Sequence, residues 1–255
     1  MKIFWQTVSV ALVLSLPFSA SGYIPSANFI IKMMLEGNQA IQDIRVEQTA
    51  TVFDKNSGRE SFQIPEVLYL RVPDSYRLDI TLPEEKKTVI YSEGETLTIV
   101  GSKVISHSQD EKSIFKDFFI KQSVAEIIEL LHSRNVNTQR MGLGRFDGRI
   151  AYIIGAKERE TKFPQLWIEK DNFLPLRFIV EEKKKDSITT LEIRYLNYQH
   201  VDGKYWYPST VEFYYDNKLA LRYQTQKVVV NTNIPDNLFD ISKIKKEYIK
   251  MTDER

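Results

Sequence analysis

From residue 43 onward, apolar side chains recur at every second position in one segment after another, with turn residues between the segments. Val211, Phe213 and Tyr215 alternate with Thr210, Glu212, Tyr214 and Asp216, and Leu219, Leu221 and Tyr223 alternate with Ala220, Arg222 and Gln224. A period of two sends successive side chains to opposite faces of a strand, so each such segment reads as a strand with one buried face. The strand candidates are 43–54, 60–72, 75–82, 86–92, 95–100 and 103–107, then 146–156, 163–169, 174–182, 187–199, 207–216 and 219–231. Asn56-Ser57-Gly58, Pro73-Asp74, Leu82-Pro83-Glu84, Glu93-Gly94 and Gly101-Ser102 supply turn chemistry between the first six. About a dozen strands in succession cannot lie in one flat sheet; they must curl into a barrel or fold into a sandwich.

Three segments break this period. Ser26 caps a predicted helix over 27–38, in which Phe29, Ile30, Met33 and Met34 recur near helical spacing and Gly37-Asn38 supplies a stop. Residues 111–134 carry Ile114, Phe115, Phe118, Phe119, Val124, Ile127, Ile128 and Leu131, and Ser123-Val124-Ala125-Glu126 reads as a capping box, so two helices meet at Gln122. A short helix near 241–249 ends the pattern. A segment as apolar as 111–134 must bury itself. The economical arrangement is mainly β (α+β): an incomplete antiparallel barrel of about 11–12 strands, its concave apolar face covered by helices 27–38 and 111–134. With no internal repeat and no linker rich in Gly, Pro or Ser, residues 23–255 read as a single domain.

The first 22 residues read as a removable leader rather than as part of the fold. Lys2 supplies a positive start, Phe4 to Phe18 is mostly apolar, Pro17 breaks the run, and Ala20-Ser21-Gly22 offers small residues for cleavage near Gly22. The apolar run is short for a membrane span and lacks a basic flank behind it. The expected location is the periplasm.

The chemistry is sparse. With no Cys among 255 residues, disulfides, thiolate metal sites and a Cys nucleophile are excluded. His107, His132 and His200 have no ligand spacing, and no cofactor or metal is expected. No Gly-x-Ser-x-Gly elbow occurs. Gly142-Leu143-Gly144 with Gly148 leads into a strand instead of opening a helix, so it reads as a flexible lead-in to strand 146–156 and not as a phosphate loop. Glu181-Glu182 followed by Lys183-Lys184-Lys185 reads as a solvated hairpin tip, and Lys243 to Lys250 as a solvated helix face. The 35 Lys+Arg nearly balance 34 Asp+Glu, which leaves no field to hold nucleic acid. Nothing in these residues provides a nucleophile–base pair, so the chain does not read as an enzyme; a monomer is expected.

Leu68-Tyr69-Leu70-Arg71-Val72-Pro73-Asp74-Ser75-Tyr76-Arg77-Leu78, a strand ending at proline with an aromatic opening the next, followed by Tyr91-Ser92-Glu93-Gly94-Glu95-Thr96-Leu97, resembles the periplasmic lipoprotein carriers of the LolA type. Pro164 to Asp171, Leu174 to Phe178 and Gly203 to Pro208 are similar to the wider lipoprotein-sorting group, and Pro235 to Phe239 to its closing segment. The resemblance runs in order through most of residues 25–240. It implies a half-barrel with a lidded apolar cavity that carries lipoprotein acyl chains or another lipid, with an inner-membrane donor and an outer-membrane acceptor as partners. A second implied role is a lipid-sensing regulator of the RseB type, acting through a protein partner. In the carriers an inward Arg precedes the proline; here that position is Val72, with Arg71 on the opposite face.

Taking Val72 as inward, alternation makes Leu68 and Leu70 inward too, then Leu78 and Ile80, Val89 and Tyr91, and Leu97 and Ile99. Those nine are the expected cavity residues. Phe29, Ile30, Met33 and Met34, with Phe115, Phe118 and Phe119, are the expected lid. Burying acyl chain gains about 0.8 kcal/mol per methylene, roughly 10 kcal/mol gross for a dozen, offset by the apolar surface that an opening lid exposes.

Overall fold

The computed structural model describes residues 24–37, 39–106, 114–158, 160, 162–184 and 187–253. Helix α1 (Ala27–Glu36) precedes six strands: β1 (Asp43–Phe53), β2 (Glu60–Arg71), β3 (Ser75–Thr81), β4 (Lys86–Ser92), β5 (Glu95–Val100) and β6 (Lys103–Ser106). Helices α2 (Ile114–Ile120) and α3 (Val124–Ser133) follow. Seven more strands are β7 (Met141–Phe146), β8 (Arg149–Ile154), β9 (Gln165–Glu169), β10 (Pro175–Lys184), β11 (Ser187–Val201), β12 (Tyr205–Tyr215) and β13 (Lys218–Val230). A 3-10 turn (Asp236–Leu238) and helix α4 (Ile241–Asp253) end the described chain. The leader read at residues 1–22 and His107 lie outside the described residues.

All thirteen strands form one antiparallel sheet in the order β6-β5-β4-β3-β2-β1-β13-β12-β11-β10-β9-β8-β7. Two meanders therefore join where β1 pairs with β13, Ile44 opposite Val230 and Val52 opposite Leu221. The edges, β6 and β7, are connected through α2 and α3. The sheet is the incomplete barrel expected from the alternation, with one strand more than anticipated.

The extra strand is β7. Its glycines are not a flexible lead-in. A Cβ on Gly142 would lie 2.7 Å from the Ala156 carbonyl oxygen, and one on Gly144 would lie 2.9 Å from the Trp167 ring. Both glycines let neighbouring chain pack against the edge strand. Asp147 (φ 48°) and Gly148 (φ 78°) form the two-residue hairpin between β7 and β8, the turn that an Asp-Gly pair favours.

The concave face carries the main core. Ile44, Val46, Leu68, Leu70, Leu78 and Val89 from one half meet Phe178, Val180, Ile193, Tyr195, Val211 and Phe213 from the other, under Ile30, Ile31 and Met34 of α1 and Ile127 and Leu131 of α3. The helices begin where their caps dictate. Ser26 Oγ accepts the Phe29 amide at 3.4 Å, and Ser123 and Glu126 form the reciprocal capping box. His132 closes α3 and bonds the Thr138 hydroxyl at 2.9 Å.

The outer face is polar where the concave face is apolar. Arg177 grips Glu192 with two bonds of 2.8 and 2.9 Å, Arg194 pairs with the same carboxylate, and Arg222 meets Glu212 at 2.8 Å. Burial pushes the Glu192 carboxyl up, but the two guanidiniums outweigh it and hold the group below its ordinary value. At the opposite end of the sheet α4 covers the outer face. Ile244, with Ile241 and Tyr248 beside it, packs on Ile90, Leu97 and Ile99.

Candidate functional site

The interior beneath the helices brings together most of the expected cavity residues. Leu68, Leu70, Leu78 and Val89 are all at most 5% exposed in the main core, and Ile80 and Tyr91 pack against it half-buried. Three positions differ. Leu97 and Ile99 are buried on the outer face, under α4. The register explains this: Val89 pairs with Thr98 and Ile90 with Leu97, so the concave residue of β5 is Thr98. Val72 falls just past the end of β2, follows an outward Arg71, and lines a separate pocket at the end of the sheet.

The lid residues divide similarly. Ile30 and Met34 face the core, Met33 is half-buried, and Phe29 is 48% exposed. The buried stripe of α1 is Ala27, Ile30, Ile31, Met34 and Leu35. In α2, Phe118 meets Phe178 at 5.2 Å and Tyr195 at 6.1 Å, edge to face, while Phe119 lies 5.1 Å from Tyr207. Such pairs add about 0.5–1.5 kcal/mol each beyond the area they bury. Phe115 belongs to α2, but its side chain lies outside the described ones.

At the other end of α2 the chemistry changes. Lys116 is 2% exposed, and its Nζ sits 3.8 Å from the Tyr76 ring, which stacks on Tyr91 at 5.5 Å. Tyr91 in turn donates a long bond of 3.5 Å to Asp74. Burial raises the Asp117 carboxyl to about 6; Lys121 opposes that rise and Asp74 reinforces it. The Tyr195 hydroxyl is fully buried with no hydrogen-bond partner, and burial raises it well above the ordinary tyrosine value. Sequence patterning treated 111–134 as an apolar block and passed over Lys116 and Asp117; two adjacent charges between Phe115 and Phe118 were the available signal.

A pocket of about 650 Å³ opens where the α1–β1 link, the α2–α3 junction and the segment after β13 meet. Ile41 belongs both to its wall and to the main core. Gln122 Nε2 donates to the Ile41 carbonyl at 3.1 Å, tying the joint between α2 and α3 to the sheet. Asp43, 5% exposed, holds the far wall by accepting from the Thr232 amide at 2.8 Å and the Ile234 amide at 3.3 Å.

No protein-family model and no curated protein matches the sequence. Solved structures do match in shape. An outer membrane lipoprotein-sorting protein domain from Vibrio parahaemolyticus superposes on 86% of this chain and 97% of its own, with a TM-score of 0.58 and 12% identity. A LolA superfamily protein from Nitrosomonas europaea matches 86% of this chain and 100% of its own, with a TM-score of 0.55 and 12% identity. The fold is LolA-like. A DUF1329 family protein from Desulfovibrio piger shares it over 85% of this chain and 97% of its own, with a TM-score of 0.58 and 17% identity.

On this LolA-like frame Arg71 faces outward, as alternation expected. It donates to the Ile234 carbonyl at 2.7 Å, pairs with Asp236 at 2.6 Å and lies over the Phe239 ring at 4.5 Å. Arg71 thus clamps the segment after β13 to the outside of the sheet. Among the described residues, no three of His, Asp and Glu are grouped to hold a metal ion, and no helix is long and apolar enough to cross a membrane.

Proposed function

We propose that this chain binds an amphiphile, a lipoprotein acyl chain or another lipid, in the interior between its sheet and helices α1, α2 and α3, and carries it through the periplasm after removal of residues 1–22. The observation that supports this reading is the packing of α2. A seven-residue helix inserts Phe118, Phe119 and Ile120 against both halves of an open sheet, each at most 5% exposed. The helix is short and is joined to α3 through the three residues 121–123. Phe118 and Phe119 meet the sheet by apolar contact, and apolar contact is what an acyl chain can replace.

The energy argument follows. Withdrawing two Phe side chains from the interior costs a few kcal/mol, on the order of 1.5–3 each, and a chain of a dozen methylenes returns roughly 10 kcal/mol gross. The difference is reduced by the ordering of the chain and the freed helix. Loading and unloading then lie near balance, and the direction of transfer belongs to donor and acceptor proteins at the two membranes. The reading assigns the chain no catalytic role.

The test is native mass spectrometry of protein purified from the periplasm, with lipid extraction of the same sample. A co-purifying amphiphile near one per chain supports the reading. A clean apo mass, together with no binding of the neutral dye N-phenyl-1-naphthylamine, overturns it. The chain has no cysteine, so Phe119→Cys introduces a single thiol; added amphiphile should raise its labelling rate several-fold if α2 moves aside.

A further inference from the structure

Strand β8 carries a gradient of burial on its concave side. Ile150 is 44% exposed, Tyr152 two residues on is 8% exposed, and Ile154 is fully buried. Tyr152 and Ile154 belong to the main core, so alternation places Ile150 on the same face. Leu143 of the edge strand β7, 39% exposed, is the Cα partner of Tyr152 and lies diagonal to Ile150. A lone exposed Leu or Ile is ordinary. These two are neighbours, and they continue the core outward to the rim of the half-barrel.

The other face of the same hairpin is sealed. Ala151 and Ile153 are fully buried together with Ala156 and Trp167, and the Glu158 carboxylate accepts the Arg145 amide of β7 at 2.9 Å. The hairpin is thus held from outside while its inner side stays open. Phe173 stands between this ledge and the core. Its ring stacks on Tyr152 at 6.1 Å and packs, half-buried, against the core. Its backbone φ is 53°, a left-handed conformation that suits Gly or Asn and strains a bulky residue. The turn from β9 to β10 keeps an aromatic ring there against that strain.

We propose that Leu143 and Ile150 form the ledge over which an alkyl chain passes between solvent and the interior, with the Phe173 ring as the gate at its inner end. This rests on the binding reading above and adds the route to it. The occupant is an alkyl chain and not a protein. A stable protein partner needs roughly 800 Å² on each side, whereas two part-exposed side chains offer contact for only a few methylenes. The ledge is also continuous, through Tyr152 and Phe173, with the core that the rest of the chain would enter. At the other edge of the sheet, on β6, Ile105 is concave by its pairing with Thr98 and is exposed as well; it is the competing route that the test separates.

The chain has no cysteine, so Leu143→Cys, Ile150→Cys, Ile105→Cys and Ile188→Cys each carry a single thiol; Ile188 is an exposed residue of β11 away from the ledge. Stopped-flow fluorescence follows uptake of N-phenyl-1-naphthylamine by the full mature chain before modification with a trimethylammonium-ethyl methanethiosulfonate, after it, and again once reductant has removed the group. Modification at 143 and at 150 should each slow uptake about fivefold or more, and reductant should restore the rate. Modification at 105 or 188 should change it less than about twofold. Phe173→Ala should raise the uptake and release rates several-fold. Thermal melts verify that each variant folds, and recovery with reductant separates a blocked route from a damaged fold. Unslowed uptake at either 143 or 150, slowing confined to 105, or equal slowing at 188, with the dye still bound at equilibrium, overturns the route and leaves the binder intact. Unchanged rates in folded Phe173→Ala overturn the gate. Failure of the wild type to bind the dye at all overturns both readings together.

Discussion

Asp117 makes the helix over the interior sensitive to acid, and the sign can be worked out from its surroundings. Burial raises its carboxyl from the ordinary 3.8 to about 6, and neighbouring Asp74 adds to the rise although Lys121 opposes it. A carboxylate with a raised folded-state pKa destabilises the folded form at neutral pH, and that penalty fades as pH falls through about 6 towards 3.8. The full shift corresponds to about 3 kcal/mol at pH 7.5. Asp117 retains some contact with water, so screening reduces this to about 1–2 kcal/mol. Asp117→Asn keeps the shape, removes the charge and should stabilise the protein by that amount at pH 7.5. For a domain of this size the gain is roughly 3–6 °C in Tm. At pH 4.5 the gain should shrink to about a third of its value at pH 7.5. The assay is a thermal melt of wild type and variant across that range, with labelling of a cysteine placed at 119 as the local report. Slower labelling of the Asn variant at pH 7.5, converging with the parent at pH 4.5, is the expected pattern. If the variant melts below wild type at pH 7.5, or its advantage is independent of pH, then Lys121 and Lys116 stabilise the Asp117 anion by more than burial costs it, and the argument is wrong.

Three further outcomes follow from the structure. Gly155 holds φ at 109°, and a Cβ there would lie 2.4 Å from the Pro164 carbonyl oxygen, so Gly155→Ala should cost about 2 kcal/mol or more, read as a lower urea midpoint. Glu192→Gln leaves Arg177 and Arg194 facing each other without their shared anion, a loss of about 3 kcal/mol by denaturant titration; the wild type should lose the same contribution only in strong acid, as pH falls through the depressed folded pKa of Glu192, below 4.5. Ending the chain after Asp240 removes α4 and uncovers Ile90, Leu97 and Ile99; binding of a hydrophobic dye such as ANS should rise several-fold, whereas an unchanged signal would mean that α4 does not shield that face.

Alternation alone fixed the strands from 43 to 106 to within a residue at most ends, because a period of two needs no knowledge of partners. The caps at Ser26 and Ser123 and the break at Gln122 were legible for the same local reason: a serine oxygen satisfies an amide three residues on, and after Ser123 the Glu126 carboxylate returns the bond to the cap's own amide. The burial of Leu97 and Ile99 was also implicit in their apolar character. What the chain could not disclose locally was which core they join. That depends on the pairing of β5 with β4 and on a helix about 140 residues later in the chain that returns to cover the outer face. Gly142 and Gly144 looked flexible in sequence and are confined by contact, since the chain that crowds them, at Ala156 and Trp167, arrives only through the tertiary fold. Lys116 shows the same limit most sharply. Its neighbours in sequence mark an apolar helix, but its burial over the Tyr76 ring depends on where that helix crosses the sheet. Periodicity reports which side chains share a face; only the assembled sheet decides what that face meets, because the free energy of a buried charge is set by neighbours distant in sequence.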